Sequence, residues 1–154
     1  MNRNQAFSLL ELMVTIGIIA ILTAISTPVY VSYTIKSNVS SALPVLESLK
    51  IQASEYYTVN NKFPTSLADI SANSYSDSII ASTKVATDTC PAVTGKMGCV
   101  QATFSNLLKS TNPLKGKVLS LVAIDSGTVI QWVCKSGDSS GNTIDISYLP
   151  KSCQ

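Results

Sequence analysis

The sequence contains no histidine, and only 13% of its 154 residues are charged. Histidine is the commonest general base and the commonest metal ligand, so its absence argues against an ordinary hydrolase or a zinc enzyme. The scarcity of charge, with 45% hydrophobic residues, excludes a disordered acidic or basic tail protein. The net charge of +2 is too small to indicate a nucleic-acid partner. No catalytic triad, paired carboxylates or phosphate-binding loop stands out, so we expect neither an enzyme nor a cofactor.

The length of the chain predicts one domain, or one domain with an appendage. A long apolar run lies near its start. No side chain from Leu12 to Ile35 is charged, and as a helix this run would span roughly 36 Å, enough to cross a bilayer core of about 30 Å. A short polar leader, residues 1–6, precedes it with one positive side chain, Arg3. Glu11 adjoins the run, and a charge at the centre of a membrane helix costs about 2.5–3.5 kcal/mol. A carboxylate at this position indicates that a positive charge pairs with it.

Two simpler interpretations of this run are a secretory signal peptide and a plain membrane anchor. A signal peptide could be cut near Ala24-Ile25-Ser26, but its positive region would contain Glu11 and only one arginine. In a plain anchor, Glu11 would extend to the headgroups. Neither interpretation explains why the helical pattern continues beyond the run.

After the run, apolar residues recur mostly at steps of three and four. They are Val39, Ala42, Leu43, Leu46, Leu49, Ala53, Tyr56 and Tyr57. This spacing predicts an amphipathic helix over residues 36–59 that covers a globular core. Joined to the apolar helix over residues 7–35, it gives one helix of roughly 80 Å, which Pro28 and Pro44 are expected to bend.

Three segments resemble one protein family. Ala6 followed by Phe7–Val14 (FSLLELMV) is similar to the prepilin processing motif of type IV pilins and type II secretion pseudopilins. Pro28–Tyr33 and Glu55–Thr65 are also similar to that family. The chain therefore resembles a type IVa-like prepilin, although the family usually has glycine where this chain has Ala6.

The resemblance implies a maturation and assembly route. Prepilin peptidase, a membrane aspartyl peptidase, would cut between Ala6 and Phe7 and N-methylate Phe7. The subunit, held in the inner membrane with its head in the periplasm, would then enter an extracellular helical homopolymer. Pilus assembly machinery and minor pilins would be its partners. Glu11 would pair with the Phe7 amine of a neighbouring subunit, which supplies the partner charge and sets axial register.

The rest of the chain is expected to form a soluble head, so that the fold is α+β, with the long helix packed on a four-stranded antiparallel sheet. Residues 60–98 are interpreted as an αβ-loop region, residues 99–133 as the sheet, and residues 134–154 as a disulfide-bounded C-terminal region. Strand signals occur at Val100–Phe104, Val118–Ile124, Thr128–Val133 and Ile144–Tyr148. Asp125-Ser126-Gly127 predicts a hairpin turn between the second and third strands, and Trp132 is the largest candidate core side chain.

Four cysteines follow the apolar run, namely Cys90, Cys99, Cys134 and Cys153. They permit three disulfide connectivities, and their wide spacing without histidine disfavours a metal site. The resemblance implies Cys134–Cys153, because many pilins close their C-terminal region with a disulfide. Cys90–Cys99 then follows from proximity and exclusion.

Three functions remain open. The leading hypothesis is the structural subunit of a surface fibre for adhesion, twitching motility and DNA uptake, with host surfaces or DNA as further partners. The second is a type II secretion pseudopilin, which the terminal disulfide disfavours because the major pseudopilin generally closes this region around calcium. The third is a minor pilin that receives DNA through a small basic loop containing Lys109, Lys115 and Lys117.

Overall fold

One long helix, α1, extends from Leu9 to Asn60. The computed structural model describes residues 8–109, 111–127 and 129–154, with the backbone alone at residues 27 and 28. The helix predicted over residues 7–59 is confirmed from Leu9 onward, whereas Phe7 lies outside the described residues. The bends expected at Pro28 and Pro44 stay predictions. The chain forms two compact units, of which the first ends at Thr34 and the second is Ile35–Gln154.

Within the second unit, α1 buries one stripe of side chains. The members are at most 5% exposed, and they are Ile35, Val39, Ala42, Leu46, Leu49 and Ala53. Their alternating steps of four and three residues keep them on one face of a helix. Lys36, Ser40 and Glu47 are exposed, so the amphipathic pattern read from the sequence is confirmed.

The sheet that α1 covers is an antiparallel meander in the order β1-β2-β3-β4. Its strands are β1 (Ile80–Ala86), β2 (Lys96–Phe104), β3 (Val118–Asp125) and β4 (Ile130–Ser136). Val100 pairs with Leu121, and Ala102 pairs with Leu119, and these four side chains join the helix stripe in one core. The predicted hairpin between β3 and β4 is confirmed: the Gly127 backbone N–H donates to Oδ1 of Asp125 at 2.7 Å.

Strand β1 was not predicted, because it lies in the region assigned to the αβ-loop. Its residues are mostly small or polar, and the register shifts between Ile80 and Ser82, which interrupts the alternation that marks a strand.

The predicted strand at Ile144–Tyr148 is wrong: Ile146–Tyr148 is a short 3-10 helix. The Asp145 carboxylate accepts hydrogen bonds from the backbone N–H of Ser147 at 2.8 Å and from its hydroxyl at 2.6 Å. These local bonds compete with strand pairing. Ile144 is buried and Ile146 is 63% exposed, so the two do not share the face that an alternating strand would give them.

Trp132 is half-buried and packs against the edge of the core rather than lying at its centre. Its ring lies 6.0 Å from that of Phe63, measured between centroids, whereas Phe104 is the fully buried aromatic residue. The Phe63 ring covers Gly98 so closely that a Cβ atom there would lie 2.2 Å from Phe63 Cδ1. Gly98 therefore lets the segment after α1 pack directly on β2.

Candidate assembly helix and disulfide-bounded head

The described part of α1 begins in a reciprocal capping arrangement. The Ser8 hydroxyl oxygen accepts from the backbone N–H of Leu10 at 3.3 Å, and Glu11 Oε2 accepts from the backbone N–H of Ser8 at 3.1 Å. This is the capping box, in which a serine and a glutamate three residues later satisfy free N–H groups at a helix start. Glu11 therefore has a local structural role besides the pairing predicted for it. Ala6 and Phe7 lie outside the described residues, so the cleavage site and the pairing stay predictions.

The first part of α1 presents apolar side chains on all sides. The large ones between Leu9 and Ile25 are all more than half exposed. Among the described residues, α1 is the one helix long and apolar enough to cross a membrane. An apolar surface of this size is stable only when lipid or protein covers it.

Several hydroxyl groups of the apolar half of α1 are bonded within the helix. Thr15 donates to the Leu12 carbonyl at 2.8 Å, Thr23 to Ile19 at 2.8 Å and Thr34 to Tyr30 at 2.9 Å. Such bonds satisfy a hydroxyl without water. The helix can therefore place these polar residues in an apolar environment at low cost.

Two disulfides link the four cysteines, Cys90–Cys99 and Cys134–Cys153, so the predicted pairing is confirmed. Cys134 lies on β4, and Cys153 lies in a short C-terminal 3-10 helix and is buried in the core that α1 covers. Cys90–Cys99 instead packs with Val122 in a separate small cluster. Cys134–Cys153 fixes the C-terminal region, and Cys90–Cys99 fixes the segment between β1 and β2.

A buried polar network connects those two segments, and sequence reasoning missed it. Gln101 Nε2 donates to the Thr89 carbonyl and to Ser120 Oγ, both at 3.0 Å. The Ser120 hydroxyl donates to the Gly137 carbonyl at 2.7 Å, and the Ser139 backbone N–H donates to Thr89 O at 3.1 Å. Gln101 and Ser120 are fully buried and directly opposite each other on β2 and β3. The only sign of this network in the sequence is the presence of Gln101 and Ser120 among the apolar residues of two strands.

The three lysines of the predicted basic loop all lie in one connection, residues 105–117, between β2 and β3. We call this connection the basic loop, since it contains no aspartate or glutamate. Lys109 and Lys115 are exposed and Lys117 is half-buried. Asn112 shapes its turn, because its side-chain oxygen accepts from the backbone N–H of Leu114 at 2.9 Å. Leu107, in the same loop, is 91% exposed.

Aspartates stabilise several loops of the head. At Asp69, hydrogen bonds from the backbone and hydroxyl of Thr65 and from the Ser66 backbone lower the pKa of the carboxyl group. At Asp145, the hydroxyl and backbone of Ser147 also lower the pKa. At Asp138, partial burial opposes ionisation, but hydrogen bonds from Asn142 and Ser140 outweigh it and lower the pKa. Each of these carboxylates thus holds its own loop in place.

Two family models match the chain. One, described as the prokaryotic N-terminal methylation motif, matches residues 1–27. The other, described as Pilin (bacterial filament), matches residues 35–154, which is more than half of the sequence. The chain belongs to the pilin family. This pilin is consequently a structural protein and not an enzyme.

Curated relatives cover nearly the whole pilin. It is 30% identical to a fimbrial protein of Neisseria meningitidis serogroup A, over 98% of this chain and 94% of the relative. It is 32% identical to the type IV major pilin protein PilE1 of Neisseria gonorrhoeae, with the same coverage of both chains. It is also 32% identical to fimbrial protein EcpC of Eikenella corrodens, over 98% of this chain and 91% of the relative. The chain is therefore a type IV pilin, and its motif and apolar helix fit a membrane-anchored precursor of an extracellular pilus.

Proposed function

We propose that this pilin is the repeating subunit of a retractile type IV pilus that serves in adhesion, twitching motility and DNA uptake. Prepilin peptidase removes residues 1–6 by cutting between Ala6 and Phe7, and Phe7 is N-methylated. The precursor is held in the inner membrane by α1 with its head in the periplasm. Assembly machinery and minor pilins then transfer it into the fibre.

The observation that carries this proposal is the combination of the methylation motif with an exposed apolar helix. The motif spans residues 1–27, and the large apolar side chains within it, from Leu9 to Ile25, are exposed in the subunit. In the precursor, lipid covers this surface. In the fibre, the same surface of neighbouring subunits covers it, so the helix leaves the bilayer without exposing apolar area to water.

Glu11 is proposed to fix the axial position of each subunit. Its carboxylate lies one helical turn from Ser8, at the start of α1. In the fibre core it pairs with the Phe7 amine of a neighbour, because a buried charge requires a partner. The capping box holds the carboxylate at the end of the helix where that amine arrives.

Mass spectrometry of fibres sheared from cells that express the full chain tests the proposal. We expect the chain to be abundant in the sheared fraction and to begin at N-methylated Phe7, with both disulfides intact. A mature chain that begins at Thr27 would indicate a signal peptide. An assembled chain that retains Met1 would contradict processing by prepilin peptidase.

Two alternative roles predict different outcomes. A type II secretion pseudopilin would stay associated with the cell envelope, and its loss would stop protein secretion rather than remove surface fibres. A minor pilin that receives DNA would be scarce in the sheared fraction. For that role Lys109, Lys115 and Lys117 would contact phosphates, with an affinity that falls steeply as salt increases.

A further inference from the structure

The head has a groove at the C-terminal end of α1 that is lined by acidic, apolar and uncharged polar side chains. It has a volume of about 290 Å³, and we call it the acidic groove. Its lining includes Glu55, Tyr56, Val59, Asp69 and Ile70. Val59 is 80% exposed. None of the described lysines lines the groove, and the hydrogen bonds that Thr65 and Ser66 donate to Asp69 lower its pKa and so keep this carboxylate charged.

The basic loop, residues 105–117, has the complementary character. Leu107 is 91% exposed, and the exposed Lys109 and Lys115 lie in the same loop. Within the described part of the chain, the one salt bridge joins Lys50 to Glu47. The loop therefore presents an apolar side chain among cations that have no acidic partner on their own subunit.

The two surfaces lie at opposite ends of the head. The end of α1 adjoins the turn between β3 and β4, because Tyr57 and Asn61 line a pocket together with Gly127 and Val129. The basic loop precedes β3 (Val118–Asp125) and so lies at the other end of that strand. A strand of this length extends about 25 Å. The loop of one subunit therefore cannot occupy the groove of the same subunit.

We propose that the basic loop of one copy of this chain docks into the acidic groove of the next copy along the fibre. The exposed Leu107 contacts Tyr56, Val59 and Ile70, and Lys109 and Lys115 face Glu55 and Asp69. Two different patches at opposite ends of one subunit form a head-to-tail contact, and such a contact builds an open helical polymer when its rotation does not close into a ring. This inference rests on the proposed function, because it requires that the chain forms a fibre.

Engineered cysteines test the contact directly. All four natural cysteines are paired, so Val59→Cys with Leu107→Cys introduces two new thiols on the proposed surfaces. Sheared fibres of this full-length double variant, treated with a mild oxidant, should give a ladder of dimers, trimers and longer species on a non-reducing gel. Each single variant should stay monomeric, and coexpressed single variants should stop at the dimer. The matched control is Leu107→Cys with Ile146→Cys, since Ile146 is 63% exposed outside the groove.

Charge reversal provides a second test that does not depend on thiol chemistry. Lys109→Glu alone and Glu55→Lys alone should each lower the yield of sheared fibres at least about five-fold. The combined variant should restore the yield to within about two-fold of the unmodified chain. Lys151→Glu, an exposed charge outside both surfaces, should leave the yield unchanged.

The outcomes separate the inference from the proposed function. If the unmodified chain forms no fibres, the proposed function is wrong and the inference fails with it. If fibres form but the Val59–Leu107 ladder is absent, or the control pair cross-links equally well, only the inference is overturned. If Lys109→Glu fibres form at normal yield and lose binding to a random-sequence DNA duplex, the basic loop is a DNA surface and the inference is likewise overturned.

Discussion

Glu11 has one observed role and one proposed role, and a pair of substitutions can separate them. Its carboxylate accepts a hydrogen bond from the Ser8 backbone at 3.1 Å, and it is proposed to pair with the Phe7 amine of a neighbour. Glu11→Gln retains the first role, because glutamine serves equally in a capping box. It abolishes the second role, because the amide has no charge. Glu11→Ala abolishes both roles, so the comparison isolates the charge.

The expected magnitudes differ between the two roles. Loss of a helix cap costs about 0.5–2 kcal/mol in the subunit. Removal of one member of a buried ion pair costs about 3–5 kcal/mol, because the other charge stays buried without a partner. At about 1.4 kcal/mol for each factor of ten, that loss raises the subunit concentration needed for growth by a factor of roughly 10² to 4 × 10³. Both substitutions should therefore stop fibre growth, whereas membrane insertion should stay the same or improve because a charge has been removed.

The assay compares the sheared fraction with the membrane fraction for the unmodified chain, Glu11→Gln and Glu11→Ala. Intact disulfides in the membrane fraction are the control for correct folding of the head. We expect both variants to accumulate in the membrane with almost no sheared fibres. Normal fibre yield from Glu11→Gln would refute the pairing, and if Glu11→Ala alone failed to assemble, the capping box would be the essential feature.

Three further predictions concern the stability of the head. Gly98→Ala should destabilise the head by about 1–3 kcal/mol and lower its Tm, because the new Cβ would lie 2.2 Å from the Phe63 ring. An unchanged Tm would contradict this prediction and would mean that the Phe63 ring can move aside. Cys134→Ser should lower the free energy of unfolding by a few kcal/mol, because it removes the disulfide to Cys153. Urea denaturation should therefore show a lower midpoint for the variant, and equal midpoints would contradict the prediction. Backbone hydrogen bonds from the segment after Asp77 hold the pKa of this carboxyl below its ordinary value of 3.8. The charged carboxylate therefore stabilises the head fully above pH 3.8, and this contribution disappears as the pH falls through the lower pKa of the folded state. Asp77→Asn should therefore lose less stability than the unmodified chain between about pH 6 and about pH 2.5. An identical loss of stability in acid for both proteins would contradict the prediction.

The sequence predicted the elements whose pattern is repetitive and local. The helix stripe from Val39 to Ala53 follows from spacing alone, because an exposed helix with one apolar face must cover something. The hairpin after Asp125 follows from turn chemistry. The pairing of Cys134 with Cys153 came from the resemblance to the family rather than from the residues themselves.

The missed elements depend on contacts that are distant in sequence or on local polar bonds. Strand β1 is recognisable only once β2 is beside it, because its own residues are small and polar and its register shifts near Ile80. The segment at Ile144–Tyr148 alternates like a strand, but Asp145 bonds to Ser147 and turns the chain instead. The buried bond between Gln101 and Ser120 requires knowledge of the register between two strands, which the sequence does not provide.

The internal hydroxyl bonds of the apolar helix have a thermodynamic consequence. Because Thr15 and Thr34 donate to carbonyls of their own helix, the segment presents an equivalent surface to lipid and to other helices. Apolar burial alone therefore gives this segment little preference for the fibre core over the bilayer, since both environments exclude water. The direction of transfer then depends on other terms, such as the proposed ion pair of Glu11 and the proposed contact between heads. A polymer that is balanced in this way can grow or shorten in response to modest work from outside.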